Sequence, residues 1–183
     1  MKKCYIVALE EETNGVRNIL GDPVFYCGIG KINAAIHMTE LIKEGYDNIT
    51  NIGSCGSMKH KVGELLKVGE VFQDIDLRPI CEYGNYPNQS NSVIKLNDDS
   101  EISCFTTDYF FDEKFKKKYS QEYMYMIHTS SLFDMECYSY AMVAKKHKIK
   151  FSSYKWVTDD GDFNDWLENC KLGFNKFIEL IKQ

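Results

Sequence analysis

The sequence predicts an α/β protein with a mixed-to-parallel sheet, and three observations support this fold class. Short apolar runs recur along the chain, and patterns with helical spacing follow several of them. Polar or glycine-rich segments lie where the apolar runs end, as in α/β proteins that keep their chemistry at the carboxyl ends of strands. With 183 residues, of which 44% are hydrophobic, the chain is long enough to bury a core as one unit. We therefore expect a single domain over residues 1–183.

The first two predicted strands each end in a distinctive turn. Cys4–Leu9 has the pattern of a buried strand and runs directly into three acids, Glu10 to Glu12. Val24–Cys27 leads through Gly28-Ile-Gly30 into an amphipathic helical pattern. This glycine pair lacks the third glycine of a dinucleotide fingerprint, so it indicates a tight turn and not a nicotinamide site. We expect no cofactor.

The middle of the chain alternates between strand and loop patterns. Asn48–Ile52 predicts a third strand, which passes into the small-residue segment Gly53–Ser57. We expect this segment to be a loop whose backbone N–H groups can approach a ligand, although a plain turn explains it equally well. Val68–Leu77 is strand-like, and Arg78–Ser100 is rich in Asn, Pro, Asp and Ser, which predicts loop.

The second half repeats the strand and helix alternation. Ile102–Phe105 predicts a strand that is followed by the aromatic residues Tyr109, Phe110 and Phe111. Ile149–Val157 predicts another strand, which the acidic segment Thr158–Asp162 ends. The periodic apolar residues from Trp166 to Ile181 predict one final helix that packs on the sheet.

The segment Ser131–Cys137 joins an apolar run to a helical pattern and carries two carboxylates. Asp134 is placed to cap the helix by accepting free backbone N–H groups, whereas Glu136 has no helical partner and is able to face a ligand. The simpler interpretation is that both are first-turn acids that favour the helix dipole.

Composition argues against several classes of partner. The net charge of −5 and the pI near 5.4 disfavour nucleic acid, which requires a basic surface. Lys114–Lys118 is better explained as the solvated face of a helix. No run of the sequence is long enough for a membrane span, so we expect no membrane partner and a cytoplasmic location.

The metal-binding residue types are scattered. Seven cysteines occur without a Cys-x-x-Cys pair, and four histidines are far apart in the sequence. This pattern indicates reduced, mostly buried thiols and no metal site.

Seven short motifs, taken together, resemble the methylthioadenosine/S-adenosylhomocysteine nucleosidases of the purine nucleoside phosphorylase superfamily. In chain order they are Leu9–Glu12, Cys27–Ala35, Asn51–Gly56, Val68–Glu70, Thr107-Asp108, Asp134–Glu136 and Val157–Asp159. The resemblance covers residues 1–77 and 102–183, and it implies a three-layer α/β/α fold with a central twisted mixed sheet. Residues 78–101 depart from the family pattern and look trimmed, which leaves any substrate pocket built there in question.

The resemblance also implies a role for each matching residue. Glu12 corresponds to the acid that activates water, and Asp159 to the acid that protonates or hydrogen-bonds purine N7. Glu136 corresponds to the carboxylate that binds the ribose hydroxyls, next to Met135 against the sugar. The implied remaining contacts are Phe110 stacked on the base, Phe111 reading the base edge through its backbone, and Ser54 near the sugar, with Cys55 and Gly56 beside it in the same small-residue segment.

Three positions differ from the family pattern, and the partner state is an expectation. Lys155 stands where the family usually has arginine, and Trp156 and Asp160 replace smaller or apolar residues. We expect a small-molecule purine nucleoside as ligand and a homodimer as the assembly.

The implied roles suit cleavage of an N-glycosidic bond. This reaction builds positive charge on the sugar and negative charge on the departing base, so it requires an acid at the base, carboxylates at the sugar and a positioned water. Burial or the neighbouring Asp160 would raise the pKa of Asp159 as an acid requires. The alternative is that Asp159 caps the last helix. Phosphorolysis and non-catalytic nucleoside binding are the other functions considered, but three acids at residues 10–12 would repel phosphate.

Overall fold

The structure, a computed structural model, describes residues 1–87, 93–97 and 99–182. Over these residues the strands are β1 (Lys3–Val7), β2 (Asn18–Ile19), β3 (Asp22–Tyr26), β4 (Asn48–Gly56), β5 (Leu65–Lys67), β6 (Glu70–Gln73), β7 (Ile94–Lys95), β8 (Ser103–Thr106), β9 (Leu132–Asp134) and β10 (Lys150–Asp159). The α-helices are α1 (Lys31–Lys43), α2 (Gln121–Thr129), α3 (Cys137–His147), α4 (Phe163–Asn169) and α5 (Phe174–Ile181). Two 3-10 helices span Glu10–Thr13 and Glu113–Lys118.

The strands form one mixed sheet, which confirms the predicted fold class. Its main path runs β2-β3-β1-β4-β9-β8-β6-β7, and β10 pairs with both β4 and β5. One parallel group contains β3, β1, β4 and β10, and a second contains β6, β8 and β9. The two groups meet where β4 and β9 pair antiparallel, with Gly56 opposite Phe133.

Helices cover both faces of the sheet because the residues of β1 alternate between two cores. Cys4 and Ile6 pack with residues of α1 and α3 on one face. Tyr5 and Val7 pack with Phe177 of α5 on the other face. This period of two is the pattern of a strand that is buried on both sides, and it gives the three layers that the sequence predicts.

The small-residue segment Gly53–Ser57 is not a loop, because most of it belongs to β4. Gly53 to Gly56 continue the parallel pairing with β10. A side chain at Gly56 would place its Cβ 1.9 Å from the ring of Phe133. The glycine therefore allows a close approach between strands, where the sequence pattern suggested a turn.

The final helix is two helices. Gly173 separates α4 from α5, and a Cβ there would lie 2.1 Å from the side chain of Trp156. The backbone turns against this fully buried tryptophan. Cys170, Phe174 and Phe177 are buried as predicted. Trp166 lies on α4 and is only half-buried, so it does not belong to this buried set.

Two further elements differ from their predictions in detail. The strand predicted over Val68–Leu77 ends at Gln73, and the chain changes sheet partners between β5 and β6. The predicted loop at 78–100 contains the two-residue strand β7 in its described part, and residues 88–92 and 98 lie outside that part. No described helix has both the length and the apolar character needed to cross a membrane.

Candidate active site

A cavity of about 260 Å³ lies where the two parallel groups of strands meet. Strand ends or the residues that follow them supply its walls, the position at which open α/β sheets bind ligands. The structure brings all nine predicted site residues to this cavity: Glu12, Ser54, Cys55, Gly56, Phe110, Phe111, Met135, Glu136 and Asp159. Motifs that are far apart in the sequence therefore form one site.

A larger groove of about 1030 Å³ shares Tyr109 with this cavity. Its walls include none of the nine predicted residues. Cavity size is a weaker criterion than the convergence of chemical groups, so we place the candidate site in the smaller cavity.

Glu12 is buried and is held by hydrogen bonds at both carboxylate oxygens. Its Oε1 accepts the backbone N–H and the hydroxyl of Ser54, both at 2.6 Å. Its Oε2 accepts the backbone N–H of Leu9 at 3.0 Å. A carboxylate offers about four acceptor positions. The described residues thus leave room at Oε2 for one further donor.

Gly53 makes space for this carboxylate. A Cβ at Gly53 would lie 2.9 Å from Glu12 Oε1, a distance that real Cβ atoms almost never show. The first glycine of the small-residue segment thus allows Glu12 to reach Ser54. This is why β4 has no side chain there.

Glu136 is buried at the amino-terminal end of α3, and it also lines the cavity. Its Oε1 accepts the backbone N–H of Gly30 at 2.8 Å, which joins the glycine turn before α1 to the site. Burial raises the pKa of Glu136 to about 8, and the nearby charge of Asp134 adds to the effect. Lys155 and the Gly30 N–H act in the opposite direction.

Asp134 has a structural task, as the sequence suggested. Its Oδ2 accepts the backbone N–H of Cys137 at 2.9 Å, the first residue of α3. The same oxygen lies 2.8 Å from the ammonium of Lys155. Both side chains are almost fully buried. Desolvation disfavours charged Lys155, but Asp134 and then Glu136 outweigh it, so the pKa of the lysine is raised. Lys155 therefore supplies a buried positive charge beneath the site.

Asp159 ends β10 and does not cap a helix, so the capping interpretation is wrong. Asp162 caps α4 by accepting the N–H of Asn164 at 2.8 Å. Asp159 instead accepts the hydroxyl of Thr158 at 2.7 Å and the N–H of Gly161 at 3.0 Å. Burial raises its pKa, and Asp160 adds to this effect, while the two hydrogen bonds oppose it. The direction is the one that the sequence predicts.

One wall of the cavity is aromatic and includes two residues that the sequence analysis did not assign to the site. Phe163 and Trp166, both on α4, have nearly parallel rings with centroids 5.7 Å apart. Phe110 meets Phe163 edge-on at 5.5 Å. The helical period placed Trp166 on the core face only because one continuous helix was assumed. A break at Gly173 would have been the signal to look for.

Three buried side chains, Cys104, Asp134 and Cys137, bring possible metal ligands within 4.8 Å of one another. Asp134 already pairs with the ammonium of Lys155. Burial raises the pKa of Cys104 well above its usual value, and metal binding requires the thiolate. A metal would have to displace the lysine and deprotonate a buried thiol, so this cluster fits a structural role better.

The role that the resemblance implies for Glu136, together with its raised pKa, predicts a pH dependence of nucleoside binding. Ribose hydroxyls donate hydrogen bonds best to an ionised carboxylate, and Glu136 becomes ionised as the pH rises through about 8. The affinity for a non-hydrolysable adenine C-nucleoside should therefore increase by up to about tenfold from about pH 7 to about pH 9. Titration calorimetry measures this. Glu136→Gln should abolish the increase, and an unchanged slope in this variant would contradict the assignment.

The fold is the one found in solved nucleosidase and futalosine hydrolase structures. Similar solved structures include the Helicobacter pylori futalosine hydrolase, with a TM-score of 0.82, 18% identity, and coverage of 99% of this chain and 96% of that one. The H. pylori 5'-methylthioadenosine/S-adenosylhomocysteine nucleosidase has a TM-score of 0.82 and 20% identity, and the same coverage. The Neisseria meningitidis nucleosidase, bound to methylthio-immucillin-A, has a TM-score of 0.78, 18% identity, and coverage of 99% and 97%.

The sequence comparisons cover less of the chain. A curated 5'-methylthioadenosine/S-adenosylhomocysteine nucleosidase from Exiguobacterium is 38% identical over 113 residues, which cover 48% of this chain and 48% of the relative. The match thus spans about half the length of that relative. No family model matches the chain.

Proposed function

We propose that this protein is a purine nucleosidase. It hydrolyses the N-glycosidic bond of an adenine nucleoside, such as 5'-methylthioadenosine or S-adenosylhomocysteine, and releases the free base. The observation that carries the proposal is the convergence of three buried acids, Glu12, Glu136 and Asp159, on one cavity with an aromatic wall. The fold shared with solved nucleosidases supports it.

Glu12 is the general base in this proposal. Ser54 and Leu9 fix its carboxylate, and the open acceptor position at Oε2 is available to a water molecule. The water attacks C1' of the sugar while Glu12 takes its proton. A positioned base of this kind typically contributes about 10² to 10⁴ in rate.

Glu136 is the sugar-binding residue. Its carboxylate accepts hydrogen bonds from the 2' and 3' hydroxyls of the ribose. Its negative charge also stabilises the positive charge that develops on the ribose ring. Half-buried Met135 packs against the sugar. The buried ammonium of Lys155 pairs with Asp134. Glu136 therefore remains the carboxylate that accepts hydrogen bonds from a ligand in the cavity.

Asp159 and the aromatic residues receive the base. Asp159 gives a proton to purine N7 as the C1'–N9 bond breaks, and the electron pair of that bond leaves with the neutral base. Its raised pKa favours the protonated form that this step requires. Phe110 stacks on the purine, and the backbone of Phe111 contacts the base edge.

Hydrolysis fits the site better than phosphorolysis does. The position next to C1' is occupied by the carboxylate of Glu12, whose partners are donors that already fill Oε1. Two negative groups in contact would repel each other strongly in a buried site. A phosphorylase would need cationic or free N–H groups there.

The direct test is product analysis with and without phosphate. The protein is incubated with methylthioadenosine, S-adenosylhomocysteine, adenosine and inosine, and the bases and sugars are separated by chromatography. From the adenine nucleosides we expect free adenine and a reducing sugar at the same rate whether phosphate is present or absent. A sugar 1-phosphate as the product would establish the phosphorylase instead, and no turnover of any substrate would leave nucleoside binding as the function.

The assembly and location are part of the same proposal. We propose a homodimer, supported by the exposed apolar side chains Ile32 and Ile36 on one face of α1.

We also propose a cytoplasmic location. The seven free cysteines, six of them buried, support it because thiols persist in reducing compartments.

A further inference from the structure

We propose that Trp166 is a positioning residue that sets the direction of the Ser54–Glu12 hydrogen bond. This inference rests on the proposed hydrolysis. The indole Nε1–H of Trp166 donates to Ser54 Oγ at 3.1 Å. The Ser54 hydroxyl in turn donates to Glu12 Oε1 at 2.6 Å. These two bonds form a chain from the aromatic wall to the general base.

The direction of this chain follows from the chemistry of the groups. An indole N–H only donates, whereas a serine hydroxyl has one proton and accepts as well. Because Trp166 occupies an acceptor position of Ser54 Oγ, the single hydroxyl proton is left for Glu12. The hydroxyl is thereby fixed in one orientation, and the carboxylate keeps its Oε2 edge towards the cavity.

The position of Trp166 fits this task better than a role in the core. None of the residues of α4 is fully buried, and Trp166 itself is half-buried and lines the cavity. Its ring stacks on Phe163, which is partly exposed. The other tryptophan, Trp156, lies in the core and donates to the carbonyl of Cys170. A helix without a fully buried residue therefore holds one N–H donor against Ser54, the hydrogen-bond partner of the general base Glu12.

A second role of the same side chain has to be separated from this one. The Trp166 ring also forms part of the aromatic wall, so its removal can weaken binding without affecting Glu12. Phenylalanine keeps a ring at this position and removes the donor. Leucine removes both. The two substitutions therefore separate loss of the hydrogen bond from loss of the wall.

The test measures kcat and KM for adenine-nucleoside hydrolysis by the parent, Trp166→Phe, Trp166→Leu, Ser54→Ala and the double variant Trp166→Phe/Ser54→Ala. We expect Trp166→Phe to lower kcat by about 3- to 10-fold, the value of one hydrogen bond, with KM within about twofold. Trp166→Leu should have the same lowered kcat as Trp166→Phe, and its KM should be higher than that of Trp166→Phe. The double variant should be no slower than Ser54→Ala, because both changes break the same chain.

Other results overturn the inference. If the effects of Trp166→Phe and Ser54→Ala multiply, or if Trp166→Phe changes only KM, Trp166 is a wall residue. Thermal unfolding of each variant checks that the fold is kept. A parent protein that hydrolyses no nucleoside overturns the proposed function and this inference with it, whereas an active parent whose Trp166→Phe variant keeps its kcat overturns the inference alone.

Discussion

Replacing Glu12 by glutamine should lower the turnover of adenine nucleosides by about 100-fold or more, the usual contribution of a general base. Glutamine has almost the same shape as glutamate, and its carbonyl oxygen in the Oε1 position still accepts both Ser54 donors, although its NH2 group then faces the Leu9 N–H. It cannot take a proton from water. The loss should therefore be in kcat, while KM changes little because in the proposed mechanism Glu12 acts on the attacking water and not on the nucleoside.

Steady-state kinetics with continuous detection of adenine measures this loss. Glu11→Gln is a matched control, because Glu11 is the neighbouring acid on the same 3-10 helix and its side chain is exposed. This control should keep the parental rate. A Glu12→Gln variant that retains more than about a tenth of the parental kcat would contradict the assignment of the general base.

The site was predictable because its residues follow strands that the sequence shows clearly. Glu12 follows β1, Glu136 follows β9, and Asp159 ends β10. The strands β1 and β10 belong to one parallel group, so their carboxyl ends lie at the same edge of the sheet. Glu136 joins them because β9, from the second group, pairs antiparallel with the carboxyl end of β4. The resemblance to nucleosidases then distinguishes acids with a proposed role from acids such as Glu10, which is exposed and pairs with Arg17.

Two wrong predictions, the loop at Gly53–Ser57 and the single final helix, share one cause, which is that close packing has no local signal. Gly53 and Gly56 look like loop residues, yet each allows a side chain from elsewhere, Glu12 and Phe133, to lie against the backbone of β4. Gly173 behaves similarly against Trp156. In all three cases the glycine is explained by a partner that is distant in the sequence, which no window of neighbouring residues contains.

The hydrogen bonds within the site were also beyond prediction. Nothing in the sequence connects Trp166 with Ser54, which are 112 positions apart, or Gly30 with Glu136, which are 106 apart. Both pairs depend on the sheet order, and the Trp166–Ser54 pair also depends on the register of β4 and β10. The sequence thus supplies the acids, and the tertiary packing decides which donors hold them.

Replacing Asp159 by asparagine should abolish base release while leaving the fold nearly as stable as the parent. Asparagine can accept only one of the two hydrogen bonds from Thr158 and Gly161, which costs about 1 kcal/mol. The substitution also removes an ionisable group whose pKa is raised by burial, and the stability gained in this way offsets part of the cost. Because burial raises the folded-state pKa of Asp159, its ionised form destabilises the fold as the pH rises through that value, and asparagine has no such form. We expect a net change in unfolding free energy within about 1 kcal/mol.

Activity, in contrast, should be lost, since asparagine has no proton to give to N7. Urea unfolding and adenine release, measured on the same preparations, separate the two effects. Asp160→Asn is the comparison variant, because Asp160 is exposed, adjacent and absent from the cavity walls. It keeps the acid and should lose only the small part of the activity that follows from the contribution of Asp160 to the pKa of Asp159. A 7-deazaadenine nucleoside, which lacks the N7 acceptor, should be a poor substrate for the parent and should lose little more in Asp159→Asn. If that variant releases adenine from normal nucleosides at a near-parental rate, another group protonates the base and Asp159 is not the acid.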